Sequence, residues 1–310
     1  MILVAGSANL DFVVRAHHIP APGETVLGQA FKTYPGGKGA NQAVACARAG
    51  QAGTRMLLAV GEDRFATPLL DSLKAAGVEL IHAPAHDQST GCAFICVADN
   101  AENAITVAPG ANLCLQPEHL PELSEYSHLL MQLEIPLATV SAYAQAAQAQ
   151  GVQVVLNAAP AQALSPELLA SVDVLIVNEG ELTALVPYPV SLITNLAQVA
   201  VPCVVVTLGA RGCVARLGNN FFVQAAFAVE AHDTTGAGDT FCGVLTSALA
   251  RGDTITEAMR QASAAGALAC TLPGAQSSIP TASAVAALLA SQPEPPAEAL
   301  DALRAYCGLG

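Results

Sequence analysis

Between residues 128 and 208 the chain alternates apolar runs of strand length with stretches of helix length, the pattern that a parallel sheet covered by helices requires. The expected strands are His128–Leu133, Val152–Leu156, Val174–Val177 and Cys203–Leu208. The expected helices are Pro136–Gln150, Pro166–Ala170, Glu179–Leu185 and Ser191–Val199. Each strand runs into a polar or small residue: Glu134, Asn157, Asn178, and Gly209 preceded by Thr207. Strand carboxyl ends border the ligand crevice in such sheets, although each residue singly serves equally well as a loop residue or helix cap. The fold expected is α/β, a doubly wound and mostly parallel sheet flanked by helices, as one domain over residues 1–310.

The first strand, Ile2–Ala5, leads into Gly6-Ser7-Ala8-Asn9-Leu10-Asp11. A dinucleotide site needs G-x-G-x-x-G there and only Gly6 is present, which removes that reading and a nicotinamide-dependent oxidoreductase with it. Asn9 and Asp11 are expected in a loop just past the strand, as ligand-binding groups or as ordinary loop residues. Met56–Val60 reads as a further strand and Ala66–Ala76 as a helix. Two segments depart from the alternation: Phe12–Tyr34, broken by Pro20, Pro22-Gly23 and Gly28, and the pair Cys92–Ala98 with Ala104–Val107. Both read as antiparallel strands outside the main sheet, inserted over about residues 12–34 and 90–108 and together forming a small β lid.

Two glycine-rich stretches open helices. Gly36-Gly37-Lys38-Gly39-Ala40-Asn41 is not a Walker A loop, because no Gly-Lys-Ser/Thr occurs. Its glycines let backbone approach a ligand, and Lys38 and Asn41 add donors in a chain with three lysines. Asp233-Thr234-Thr235-Gly236-Ala237-Gly238-Asp239 precedes an apolar helix, so free N–H groups and the positive helix end meet at Gly236–Gly238, a site suited to an anion. Asp239 would oppose an anion there unless it has a task, and taking a proton from a hydroxyl aimed at a phosphate is one. An Asp that merely complements the helix dipole fits the residues as well.

A net charge of −13 disfavours nucleic acid and anionic membranes, which reward basic patches. No stretch of about 18 uninterrupted apolar residues occurs, and the N-terminus has no basic region followed by a long apolar run. The nine cysteines include no Cys-x-x-Cys and read as reduced core residues of a cytoplasmic protein.

Taken together, these stretches resemble the ribokinase-like (PfkB-type) carbohydrate kinase family. Gly36–Ala43 looks like its N-terminal signature in the ribokinase form, and Asp233–Phe241 like its C-terminal signature, Asp-Thr-x-Gly-Ala-Gly-Asp. Leu129–Glu134, Asn178-Glu179-Gly180-Glu181, Thr207–Gly212 and Gly274-Ala275-Gln276 with Ser278 match in order and spacing, so the resemblance runs from Gly6 to Pro280. It implies an ATP-dependent kinase of D-ribose, with another pentose such as deoxyribose, a hexose or a nucleoside as alternative acceptors. A non-catalytic sugar-binding protein on this fold is the alternative outside the class.

By the resemblance, Asp239 is the general base and Gly236, Ala237 and Gly238 form the anion hole. Asn9, Asp11, Gly37, Lys38, Asn41 and Glu134, with Asp239, hold the sugar. Asn178, Thr207, Gly209, Ala210, Arg211, Gly212, Gly238 and Ser263 line the ATP site, and Glu181 acts on Mg²⁺ through water. A K⁺ ion is held by Asp233 and Ser278 and by the carbonyls of Thr235, Ala269, Leu272 and Gly274. Leu272-Pro273 departs from a commonly basic pair, and Asn157-Ala158-Ala159-Pro160 from the family's Asn-Pro-Ala-Pro. A homodimer pairing the two lids is expected, since lone lid sheets leave free edges.

Overall fold

The computed structural model describes every residue except 101, 187–189, 293 and 310; residue 101, in the expected lid, thus lies outside the described residues. The strands are β1 (Ile2–Ala5), β2 (Asn9–Ala16), β3 (Ala30–Gly36), β4 (Thr54–Leu58), β5 (Glu79–His82), β6 (Gly91–Ala98) and β7 (Asn103–Ala108). They continue with β8 (His128–Met131), β9 (Gln153–Asn157), β10 (Val174–Asn178), β11 (Cys203–Thr207), β12 (Gly212–Leu217) and β13 (Asn220–Ala225). The helices are α1 (Lys38–Arg48), α2 (Ala66–Ala75), α3 (Leu137–Ala149), α4 (Pro166–Leu169), α5 (Glu179–Leu185) and α6 (Leu192–Gln198). After them come α7 (Ala237–Ala250), α8 (Ile255–Ala269), α9 (Ala275–Ser278), α10 (Ala282–Ser291) and α11 (Ala297–Cys307).

Nine strands form the main sheet in the order β13-β12-β11-β10-β9-β8-β1-β4-β5, with only the β11–β12 and β12–β13 pairs antiparallel. Alternation along the buried strands divides the core. Ile2, Val4, Leu130, Val155, Ile176 and Val205 face one layer, built on α1, α7 and α8. Leu3, Ala5, Leu129, Val154, Leu175 and Val204 face the other, built on α3 and the helices near it. Apolar residues on both faces are what helices on both faces require. The chain passes outward from β1 to β4 and β5, then returns to place β8 on the other side of β1. That reversal leaves a crevice beyond the carboxyl ends of β1 and β8, where open α/β sheets bind ligands.

The second sheet, β3-β2-β6-β7, consists of two antiparallel pairs, β2–β3 and β6–β7, as the sequence indicates. They join along a parallel seam, β2–β6, because the whole stretch carrying α1, β4, α2 and β5 lies between them in sequence.

Four sequence expectations need correction. Asn9 and Asp11 lie on β2 itself, because pairing with β3 and β6 draws them out of the expected loop. The strand expected over His128–Leu133 ends at Met131, which lets Glu134 leave the sheet and meet Ser7 and the Lys38 N–H. The helix after the second glycine stretch starts at Ala237, which puts Asp239 in its first turn. Strand β5 and the hairpin β12–β13 were not foreseen: β5 is only four residues long, and β12 carries Arg216, whose guanidinium donates to the carbonyls of Leu196, Val199 and Val201 at 3.0, 2.7 and 2.8 Å.

Candidate active site

The turn before α7 is built by Asp233. Its Oδ1 accepts from the Thr235 N–H (2.9 Å) and hydroxyl (2.6 Å), and its Oδ2 accepts from the Gly274 N–H (2.8 Å). Burial works against that charge, but these hydrogen bonds and nearby Arg15 carry its pKa below the ordinary value. Gly236 caps the helix with φ 74°, a left-handed geometry costly for any residue with a Cβ. No side chain caps this end; the Ala237 N–H turns back to the Thr234 carbonyl at 3.3 Å, and the N–H groups that follow it lack the partner a preceding helical turn would supply. A Cβ on Gly238 would meet no protein atom within 4 Å, which leaves room for an anion in front of those groups.

Asp239 projects from this first turn and is gripped from α1. Asn41 Nδ2 donates to its Oδ2 at 2.9 Å and Gln42 Nε2 to its Oδ1 at 3.0 Å. Helix α1 is in turn set against the crevice: Gly37 at φ 88° caps it, and a Cβ there would come within 2.6 Å of the Asn9 amide nitrogen. The Lys38 N–H donates to Glu134 Oε2 at 3.1 Å, and the Ser7 hydroxyl donates to the same oxygen at 2.5 Å. Asp239 raises the Lys38 pKa, against burial, and Glu134 and Glu181 add to the rise, so one ammonium serves three carboxylates.

On β2, Asn9 Oδ1 accepts from Asn112 Nδ2 at 2.7 Å, and Asn112 Oδ1 accepts from the Ala8 N–H at 2.9 Å. Asp11 is buried, with no hydrogen bond to its carboxylate among the described residues. Burial first, then the charges of Glu134 and Asp239, push its pKa up to about 7. An unpaired buried carboxylate beside two others is costly to hold, and a polyol's hydroxyls are donors that would pair with it. Asn41 Oδ1 is likewise a buried acceptor without a protein donor.

The residues expected at a nucleotide site begin at the ends of β10 and β11. Asn178 and Glu181 form a capping box, each accepting the other's backbone N–H at 2.8 Å. Burial raises the Glu181 pKa, opposed by the Asn178 N–H and Lys38 and reinforced by Asp239, so Glu181 lies in the field of Asp239. Thr207 ends β11 and its hydroxyl donates to the Val177 carbonyl at 3.4 Å. Gly209, Ala210 and Arg211 form a short exposed turn, and Gly212 begins β12. Arg211 stacks on the Tyr306 ring, 4.2 Å from guanidinium carbon to centroid, instead of standing free. Ser263 lies on α8 against Cys213, Oγ to Sγ 3.5 Å.

Of the residues expected at a cation site, Asp233, Thr235 and Gly274 come together through the hydrogen bonds above. The end of α8 joins them, as the His232 and Asp233 N–H groups donate to the Cys270 carbonyl at 2.8 and 3.1 Å. Ala269 closes α8, where last-turn carbonyls have no helical partner. Leu272 is exposed in the loop that follows, and the Ser278 hydroxyl donates to the Ala275 carbonyl at 2.9 Å. Among the described residues, no three His, Cys, Asp or Glu side chains form a metal-holding group.

Sequence reasoning missed Ser7, Asn112, Gln42 and Gln132. The two glutamines had a local signal, being polar within a helix of small residues and an apolar strand run; Asn112, 103 residues from its partner Asn9, had none.

The family described as pfkB family carbohydrate kinase matches residues 1–282. The ribokinase of Haemophilus influenzae is 40% identical over 293 residues, covering 90% of this chain and 95% of that one. The structure of a Thermotoga maritima ribokinase superimposes with a TM-score of 0.86 at 34% identity, covering 94% and 99% of the two chains. The structure of Arabidopsis thaliana ribokinase complexed with ribose and ATP gives a TM-score of 0.83 at 30% identity, covering 93% and 98%.

Proposed function

Since this chain belongs to the pfkB family of carbohydrate kinases, we propose that it transfers the γ-phosphoryl group of ATP to the primary hydroxyl of D-ribose, giving D-ribose 5-phosphate and ADP. The observation that carries this reading is Asp239, a carboxylate held from both sides at the bare N-terminus of α7, beside the unpaired Asp11. Asp239 takes the hydroxyl proton as the sugar oxygen bonds to the γ-phosphorus and the bond to the ADP oxygen breaks. The Gly238 N–H, joined by that of Ala237 once it leaves the Thr234 carbonyl, is presented by Gly236 and steadies charge on the transferred group. Asn9, Asp11, Gly37, Lys38, Asn41 and Glu134 orient the sugar. The orphan acceptor Asn41 Oδ1 and the unpaired Asp11 support this, since both want the donors a polyol brings.

Asn178, Thr207, Gly209, Ala210, Gly212 and Ser263 line the ATP site. Arg211 joins them only by leaving Tyr306. Mg²⁺, when bound, screens the phosphate charge, and a single carboxylate, Glu181, suits an ion that keeps most of its waters. K⁺ fits the oxygen-rich loop of Asp233, Thr235, Ala269, Leu272, Gly274 and Ser278, where it would add positive charge behind the anion hole.

The chain works as a homodimer through its small sheet. Phe31, Phe94, Ile105 and Val107 are exposed there, and β3 and β7 are free edges, features that a second copy would cover. A cytoplasmic location is supported by nine unpaired cysteines, and no helix among the described residues is long and apolar enough to cross a membrane.

ADP release with ATP and Mg²⁺, across D-ribose, 2-deoxyribose, hexoses and nucleosides with and without K⁺, tests the reading. The highest kcat/KM is expected with D-ribose. Absence of sugar-dependent ADP release would overturn it, and a higher kcat/KM with another acceptor would reassign the substrate.

A further inference from the structure

Behind Asp239 lies a chain of buried amides that the phosphoryl transfer itself does not use. Gln42 and Gln132 are fully buried and Asn157 is 7% exposed. Gln42 Nε2 donates both to Asp239 Oδ1 and to Asn157 Oδ1, each at 3.0 Å. Gln42 Oε1 accepts from Gln132 Nε2 at 2.6 Å. Asn157 Nδ2 donates to the Ile176 carbonyl at 3.1 Å, on strand β10.

Chemistry fixes which way each amide points. The Ile176 carbonyl only accepts, so Asn157 must turn its NH₂ there and its oxygen toward Gln42. An ionised Asp239 also only accepts. Two independent acceptors thus require the NH₂ of Gln42 at one spot, and its oxygen must then face an NH₂, which Gln132 supplies. Reversing Gln42 would set an amide oxygen against a carboxylate and against Asn157 Oδ1, with no donor between them.

The anchor is also stiff. Helices α1 and α7 cross closely at Gly243, where a Cβ would come within 2.6 Å of the Gln42 carbonyl oxygen and of the Ala45 Cβ. The Cys46 thiol donates to the Gly243 carbonyl at 3.3 Å. Gln42 therefore cannot shift along α7 without unpacking the crossing.

We propose that Gln42 is a positioning residue for the phosphoryl transfer, pinning Asp239 Oδ1 through the Asn157–Gln42–Gln132 chain so that the remaining lone pairs of the carboxylate face the sugar hydroxyl. Asn41 holds the other oxygen, Oδ2, and also faces the sugar; Gln42, fully buried, acts only through Asp239. The inference rests on the reading of Asp239 as the base. Loss of this hold leaves Asn41 alone on the carboxylate, which can then turn about its χ angles, and a base displaced by a fraction of an ångström loses rate while the sugar's own contacts stay in place.

The test is the purified protein with Gln42→Met, which keeps the volume and removes both hydrogen-bonding ends. Its kcat should fall ~10-fold or more, with the sugar KM within ~3-fold of wild type. In an Asp239→Asn background the same change should lower the residual rate less than ~2-fold, because two groups acting as a unit are not additive. Should Gln42→Met fail to fold, Gln132→Met releases the acceptor end of Gln42 and should lower kcat ~3-fold or more at unchanged sugar KM. Unchanged kcat in the folded variant, or an equal proportional loss with and without Asp239, would overturn the positioning role. A wild-type protein that releases no ADP with any sugar would instead remove the base assignment, so the two failures are distinguishable.

Discussion

The Asp11→Asn substitution should make this protein more stable and less able to bind its sugar, and the size of the gain should depend on pH. Asp11 is buried beside Glu134 and Asp239, accepts no hydrogen bond among the described residues, and has its pKa raised from 3.8 to about 7. A carboxyl with a raised folded pKa contributes most below its unfolded pKa, and that contribution is lost as pH rises through the folded value. Between pH 4 and 7 the folded protein holds a proton that the unfolded chain releases, so stability falls with rising pH. Three units at 1.36 kcal/mol each amount to about 4 kcal/mol above pH 7 and about 1.5 kcal/mol at pH 5. A neutral amide of the same shape avoids that cost. For 310 residues, at about 2.1 cal/mol/K of unfolding entropy per residue, 4 kcal/mol corresponds to about 6 °C in Tm. Thermal unfolding of both proteins from pH 4 to 8 should show the Asp11→Asn variant gaining steadily to pH 7 and then levelling off. Ribose should raise the Tm of the wild type and not of the variant. A gain independent of pH, or no gain at pH 8, would refute the account of Asp11 as an unpaired carboxylate kept for its ligand.

Three further outcomes are expected. Gly236→Ala places a Cβ at φ 74° and within 3.0 Å of the Ala275 Cα, and should cost about 1–2 kcal/mol in urea unfolding while lowering kcat more than ~10-fold; normal kcat would show that the anion hole lies elsewhere. Replacing K⁺ with a bulky ammonium ion should slow the wild type ~3-fold or more and leave Asp233→Ala indifferent to the exchange; equal sensitivity in both would remove Asp233 from the cation site. Light scattering at micromolar concentration should give the mass of two chains, and Ile105→Lys, an exposed residue on the face of the small sheet opposite the Phe12–Phe94 stack, should give the mass of one; a wild-type monomer would count against the lid interface.

The main sheet was legible because strands such as β9 and β10 carry short runs of Val, Leu and Ile and lie between helices, a pattern with few other solutions. The end of the sheet was not. Strand β12 carries Arg216 amid its apolar residues, and the meaning of that charge depends on three carbonyls found only in the folded chain. At the site, Asp239 and the glycines before it stood out because their chemistry is local: a left-handed turn, a helix start and a carboxylate within a few residues. Their partners are remote. Asn41 and Asp239 meet across 198 residues, and Asn9 and Asn112 across 103, with no periodicity to announce either pair. Asp11 read as a loop residue because a polar side chain facing a crevice interrupts an apolar pattern just as a loop does, although it sits on β2.

The Asp239→Asn substitution bears most directly on the claim that this carboxylate deprotonates the sugar. Ribose binding by calorimetry and ADP release should be measured on the same preparation. Affinity should stay within ~3-fold of wild type while turnover falls at least ~100-fold, as loss of a general base requires. Turnover near the wild-type rate with the carboxylate gone would contradict the mechanism.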